Sequence, residues 1–184
     1  MILIGEIRDE HTMEHAIAFA ETGHLCLATL HANNTNQAMD RIINFFPEER
    51  RKQLLLDLSL NLKAVISQRL LATPNGDGRR AAVEILLNSP LMSELIKKGE
   101  IHEMKELVKK SREQGMITFD EAIFELIKSG QVTMEEGMRN ADSVNDLRLR
   151  IKLDESSVGE VADSADNSGL ELKAADDDSY KLAS

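Results

Sequence analysis

Glu6 and His31 occupy matching places in the chain. Each stands just beyond a short apolar run, Met1-Ile2-Leu3-Ile4 before the first and Leu25 to Leu30 before the second. An acid at the end of an apolar strand can hold Mg²⁺, or its bound water, beside nucleotide phosphates. A histidine at the neighbouring strand end can hydrogen-bond a terminal phosphate. Gly5, Arg8 and Asp9 flank the acid, and His24 precedes the second run. A different chemistry is suggested by His11-Thr12-Met13-Glu14-His15, an H-x-x-E-H pattern that puts two imidazoles on one helical face, as in one class of zinc peptidase. That chemistry needs a third ligand downstream. On spacing alone each site has a plainer reading. Glu6 is then a solvated loop acid, His31 a ring capping a backbone group, and His11 and His15 an exposed pair near a helix start.

These residues matter only if the backbone gathers them. The first apolar run reads as a buried strand. Glu10 to Thr22 follows with Met13, Ala16, Ile17 and Ala20 at helical spacing and Gly23 as its stop. Leu25 to Leu30 is a second strand. Strand, helix, strand in about 30 residues is a βαβ unit with parallel strands. Ligands sit outside the carboxyl ends of such strands, the edge that Glu6 and His31 share.

Further along, helices are expected over Asn36 to Phe45 and from Pro47 through about Val65. Gln68 to Thr73 and Arg79 to Leu87 read as strands joined by Pro74-Asn75-Gly76-Asp77-Gly78. From Ser89 on the pattern is helical. Ser89-Pro90 is an N-cap with proline at the first helical position. Thr118 to Glu121 and Thr133 to Glu136 match the capping box, after breaks at Gly115 and Gly130. The methionines Met92, Met104, Met116, Met134 and Met138 read as core filler. After residue 153 the chain carries nine acids against two bases and no sustained apolar period, so 154–184 reads as an acidic disordered tail.

Composition narrows the function classes. The 184 residues carry a net charge of -10, which argues against a broad basic face for nucleic acid, and 3% aromatics leave few stacking platforms for single strands. No apolar stretch approaches the ~18–20 residues that span a bilayer. No signal peptide is visible. The single cysteine, Cys26, excludes an intramolecular disulfide and fits a reducing compartment.

Ile2-Leu3-Ile4-Gly5-Glu6-Ile7-Arg8-Asp9 resembles the Walker B signature of the type II/type IV secretion and pilus ATPases. Glu21-Thr22-Gly23-His24 through Thr29-Leu30-His31 resembles that family's His box. Phe46-Pro47-Glu48-Glu49, Ile66 to Leu70 and Gly78 to Glu84 follow in the order seen in PilT/PilU-type pilus retraction ATPases. The resemblance runs continuously over 1–152. One branch of these motors carries Ala-Ile-Arg-Asn-Leu-Ile in its C-terminal helices. Here Leu91-Met92-Ser93-Glu94-Leu95-Ile96 stands in its place, and with His102 to Leu107 and Asn140 to Ser143 the likeness is to the PilU branch.

The resemblance implies an α/β fold: a RecA-like P-loop NTPase sheet lacking its first strands over 1–88, then a helical domain over 89–153. It implies ATP hydrolysis with Mg²⁺ in a hexameric ring, cytoplasmic and peripheral to the inner membrane, driving pilus retraction and twitching motility. Implied partners are further copies or a PilT-like ATPase, and an inner-membrane platform protein. Glu6 is then the Walker B acid beside Mg²⁺, through water, and the attacking water. Gly5, Arg8 and Asp9 complete that signature, the last two as structural salt-bridging groups. His31 lies near the γ-phosphate, and His24, at the strand start, nearer the subunit contact.

One motif is missing from these residues. No Gly-x-x-x-x-Gly-Lys-Ser/Thr occurs, and no glycine is followed by lysine. That loop supplies the backbone N–H cradle and the lysine for the phosphates. Under the resemblance it precedes residue 1, as do an aspartate box and a PAS-like domain. The chain then reads as the C-terminal part of a motor, inactive alone, with a sheet edge and an apolar face uncovered. The competing expectation is a non-catalytic oligomerisation or interaction module that docks through its helices.

Overall fold

A computed structural model describes residues 1–165, with side chains through residue 154. Strand β1 (Ile2–Ile4) pairs in parallel with β2 (Cys26–Ala28), and α1 (Glu10–Glu21) crosses between them. The register sets Ile2 against Cys26 and Ile4 against Ala28. The ladder is shorter than the apolar runs, but single bonds extend it: Ile2 N–H to the Leu25 carbonyl at 2.8 Å and Ile7 N–H to the Thr29 carbonyl at 3.0 Å. Asp9 caps α1 by accepting from the Thr12 N–H at 2.8 Å. Gly23 at φ 85° turns the chain into the left-handed region that glycine adopts without strain. Met13 and Ala16 bury the inner face of α1. Leu3, 75% exposed, and Leu27, 45% exposed, leave apolar surface of this sheet open.

Helix α2 (Thr35–Asn44) is capped by Asn34 and buries Ala38, Met39 and Ile42. Helix α3 (Glu48–Asn61) follows Pro47, which is its N-cap. The sequence suggests a helix through about Val65, yet α3 stops at Asn61 and β3 runs Ala64–Ala72 rather than from Gln68. The cause lies downstream. The Asn88 side-chain amide donates to the Ser59 and Leu62 carbonyls, and the Ser93 hydroxyl also donates to Ser59. These bonds satisfy carbonyls that a helix end leaves open. Residues from Ala64 on instead pair with β4 (Arg79–Leu87), antiparallel, Ala64 facing Leu87. Gly76, at φ 70°, sits in the expected turn.

The helical part contains α4 (Pro90–Lys98), α5 (Ile101–Lys110), a 3₁₀ turn (Arg112–Gln114), α6 (Phe119–Lys128), α7 (Met134–Asn140) and α8 (Val144–Ala165). Thr118 and Glu121 form the full capping box of α6. At Thr133 the hydroxyl accepts from the Glu136 N–H, but the Glu136 carboxylate turns away to the Ala72 N–H at 3.2 Å. Tertiary demand thus takes half of that expected box. Helix α8 continues past Asp154, where the sequence suggests the start of a disordered tail. Its first turns are anchored by buried Leu147 and Ile151, and extending a formed helix costs far less than starting one. Residues 166–184 of the expected tail lie outside the described residues.

Among the described residues two hydrophobic cores are formed. The first joins Met13, Met39, Ile42, Leu54 and Leu58 to Leu86, Met92, Ile96 and Met104. It therefore runs straight across residue 88. The second packs Leu71 and Ala82 of the hairpin against Phe119, Ile123, Leu147 and Ile151. Met92, Met104 and Met116 are buried, whereas Met134 is exposed.

Candidate functional site

The two parallel strands deliver Glu6 and His31 to the same end of the sheet. Gly5 to Ile7 and Thr29 are laced together there: the Thr29 hydroxyl donates to the Gly5 carbonyl, and Ile7 N–H to the Thr29 carbonyl. His31 Nε2 lies 3.3 Å from Glu6 Oε1. Arg8 reaches the other oxygen, Oε2, at 2.5 Å. The Glu6 side chain is 17% exposed, whereas those of Arg8 and His31 are 75% and 76% exposed. The carboxylate is thus sheltered and its two partners face solvent. A Cβ at Gly5 would meet nothing within 4 Å, so the backbone beside Glu6 stays open to approach.

Asp9 does not reach this group. It caps α1, and the Thr12 N–H and hydroxyl hold its carboxyl below the usual carboxylate range. His24 lies at the opposite end of β2. Its Nδ1 is 3.1 Å from the Thr22 hydroxyl, and its ring meets Phe19 edge-on at 6.3 Å. The structure therefore brings together Glu6, Arg8 and His31 and leaves His24 apart.

Glu6 can serve Mg²⁺ in one way. A carboxylate offers about four lone-pair sites; Arg8 Nε and Nη2 both reach Oε2, while His31 lies beside Oε1. What remains suits a metal-bound water. Mg²⁺ keeps several waters and draws ligands from phosphate, so a single outer carboxylate fits its habits. The zinc pattern fares differently. His11 and His15 stand with Nε2 atoms 3.2 Å apart on the exposed face of α1. Glu14 pairs with Arg50, as does Glu10 at 2.5 Å. Among the described residues, no group of three or more His, Cys, Asp or Glu is placed to hold a metal ion.

A second polar cluster went unread in the sequence. Arg69 on β3 places Nη2 2.6 Å from Asp142 Oδ1, in the turn between α7 and α8, while Lys105 of α5 meets Asp142 Oδ2 at 3.0 Å. The Arg69 guanidinium lies over the Phe119 ring, 4.1 Å from its centroid. Burial pushes the Asp142 carboxyl up, but the bonds and charges of Lys105 and Arg69 outweigh it and hold it below the usual range. Glu84 of β4 is 2% exposed. Burial raises its carboxyl above the usual range, against the pull of the Thr35 N–H. Apart from both clusters, a groove of about 470 Å³ opens between β4 and α6, lined by Ala81, Val83, Ile85 and Leu126. None of the candidate site residues lines it.

Comparison with known proteins gives this geometry a family. The family profile "Type II/IV secretion system protein" matches residues 1–76. The type IV pilus ATPase PilU of Pseudomonas aeruginosa is 57% identical over 178 residues, covering 97% of this chain and 46% of that protein. A twitching motility protein of Neisseria gonorrhoeae is 37% identical, over 78% of this chain and 38% of that protein. Among solved structures, the pilus retraction motor PilT with bound ADP superposes with a TM-score of 0.71 at 33% identity, covering 80% of this chain and 41% of that one. The chain belongs to the type II/IV secretion system protein family. Within it, the likeness is to the PilT and PilU pilus ATPases. The chain spans less than half the length of these relatives. Among its described residues no helix is long and apolar enough to cross a membrane.

Proposed function

We propose that this chain supplies the Walker B and His-box side of an ATP-hydrolysing type IV pilus retraction motor, of the PilU kind. The observation that carries the reading is Glu6 and His31 facing each other at the carboxyl ends of parallel strands, in a chain 57% identical to PilU. The sheet is then part of a RecA-like core over 1–88, with 89–153 as the helical domain. Both parts contribute side chains to each of the two cores, so the division is one of role rather than of packing.

In this reading Glu6 holds a Mg²⁺-bound water and orients the attacking water. Bound Mg²⁺ would neutralise charge on the phosphates. His31, whose Nε2 lies 3.3 Å from Glu6, turns its exposed imidazole toward the terminal phosphate and stabilises charge as it develops. Arg8 fixes the second oxygen of Glu6. Little covalent chemistry falls to the protein in phosphoryl transfer, so positioning and charge carry the rate. His24, at the other strand end, serves a contact between subunits of a hexamer, or of a mixed assembly with a PilT-like ATPase. The ring works on the cytoplasmic side of the inner membrane against a platform protein.

The test is a chimera. The 178 residues of this chain that align with the Pseudomonas aeruginosa PilU replace the matching segment of that protein, and phosphate release from ATP is followed. Hydrolysis that Glu6→Ala abolishes is the expected result. A chimera that assembles yet releases no phosphate, or one indifferent to Glu6→Ala, overturns the reading in favour of a non-catalytic assembly module.

A further inference from the structure

The segment from Thr29 to Asn34 joins β2 to α2 without regular structure, yet side chains grip the backbone from His31 to the head of α2. Arg41 Nη1 donates to the His31 carbonyl at 3.2 Å. Arg69 Nη2 donates to the Asn33 carbonyl, also at 3.2 Å. The Thr35 N–H donates to Glu84 Oε2 at 2.8 Å. Arg41 belongs to α2 itself. Arg69 and Glu84 reach in from the separate hairpin, on opposite strands. Register pairs Arg69 with Ala82 and Ser67 with Glu84, which makes Arg69 and Glu84 diagonal neighbours on one face.

Neither residue suits its place by hydrophobicity. Glu84 alternates with buried Ala82 and Leu86, where an aliphatic side chain would pack without desolvating a carboxylate. What its carboxylate gains is a backbone N–H at the first residue of α2, where the helix dipole favours negative charge. Arg69 is immobilised before it reaches Asn33. Its Nη1 donates to the Asn140 carbonyl at 2.8 Å, and it also holds Asp142 and lies over Phe119. Its planar fork holds several acceptors in one fixed geometry, where a lysine offers a single, freely turning ammonium.

We propose that Arg69 and Glu84 are positioning residues for His31. They fix the backbone between β2 and α2 so that the imidazole faces Glu6, and Arg69 ties that placement to the turn between α7 and α8. Neither touches the imidazole or Glu6; both act through main-chain groups. The consequence for catalysis rests on the functional reading of Glu6 and His31 given above, while the clamp itself is a property of the free chain.

Amide hydrogen exchange of the 184-residue chain, without nucleotide, tests it by NMR. Glu84→Ala removes the acceptor of the Thr35 N–H, and exchange at Thr35 should rise about tenfold or more, the loss of one charge-assisted bond. Glu84→Gln keeps an oxygen in place and should stay within about threefold of the parent. Arg69→Ala should speed exchange across 31–37 and shift the His31 ring resonances in the direction that Glu6→Gln does. Amides of the β3–β4 ladder should keep their protection in every variant. Unchanged exchange at Thr35 in both alanine variants overturns the proposal. So does a rise shared equally by the ladder, which would mark a merely structural role. The measurement involves no ATP, so its failure removes the clamp and leaves the motor reading intact. A silent chimera does the reverse.

Discussion

Asp142 Oδ1 lies 2.6 Å from Arg69 Nη2, so one ion pair pins the turn between α7 and α8 to the middle of β3. Both side chains are mostly covered, 12% and 21% exposed, and Lys105 takes the other Asp142 oxygen. Removing one partner of such a group leaves the other charge half-buried and unpaired. Asp142→Ala should cost about 2–3 kcal/mol at pH 7, in the range of hydrogen bonds to charged groups and of broken buried pairs. The sign with pH follows from the depressed carboxyl. The unfolded chain binds this proton more readily, so the stabilisation is present above about pH 4, the ordinary Asp value, and is lost as pH falls through the lower folded value. Urea denaturation of parent and variant at pH 7 and pH 3 should show the difference shrinking at the lower pH.

Glu84 behaves in the opposite sense. Burial raises its carboxyl, so in the folded chain it keeps its proton to higher pH than in the unfolded chain. Stability should therefore fall as pH rises from the ordinary Glu value, about 4.3, through the raised folded value, and stay lower above it. Lys105 and the Thr35 N–H moderate the loss, and Asp142 adds to it. Glu84→Gln should flatten this part of the pH–stability curve. A curve of unchanged slope in the variant would contradict the burial of an ionisable group here.

Gly137 of α7 packs against α6. An added Cβ would meet Ile127 Cδ1 at 2.5 Å, Ile127 Cγ1 at 3.0 Å and Ile123 Cγ2 at 3.1 Å. Alanine gains about 1 kcal/mol of helix propensity over glycine, while overpacking a filled site costs about 1–3 kcal/mol. With two isoleucines in the way, packing should win. Gly137→Ala is expected to lower the midpoint of thermal unfolding, which calorimetry can check.

His11 and His15 are exposed and contact each other. His11→Ala should change stability by no more than about 0.5 kcal/mol, as surface substitutions usually do. Elemental analysis of the purified chain should find no stoichiometric zinc. One tightly held zinc per chain would bring the peptidase reading back.

In the PilU chimera, His31→Ala should lower kcat more than it weakens nucleotide binding, because its contact matters most as charge develops on the phosphate. A loss of about 10²-fold is the scale for one preorganised donor. His24→Ala should leave kcat of assembled rings near the parent value and reduce the share of assembled rings, read by sedimentation. Equal kcat losses at both histidines would break the division of roles drawn from the two ends of β2.

The β1–α1–β2 unit was legible because each boundary has a local cause: apolar runs, the Asp9 cap, the Gly23 turn. The meeting of Glu6 and His31 followed from parallel strands ending at one edge. The end of α3 was not legible, because Asn88 and Ser93, whose side chains donate to its last carbonyls, lie 27 and 32 residues beyond Asn61 and only tertiary folding brings them there. Helix α8 outran the expected boundary because propagation needs little apolar surface once Leu147 and Ile151 are buried. Glu84 was missed although a signal existed. It shares the alternate register of Ala82 and Leu86, so a carboxylate stood on the apolar side of a strand in plain sequence. Arg69 offered no such signal, since its partners come from a loop and a turn far away in sequence.

The thioethers buried in the first core carry a consequence for how this protein ages. Met39, Met92 and Met104 are fully shielded and Met116 nearly so, whereas Met1 is 82% and Met134 46% exposed. Sulfoxidation makes a flexible apolar side chain polar, and exposure governs its rate. Peroxide should therefore mark Met1 and Met134 first and reach the shielded sulfurs only when the chain opens. Once oxidised, they could not repack in an apolar interior. Each opening in an oxidising setting would thus be recorded chemically, and the molecule would lose the ability to close again.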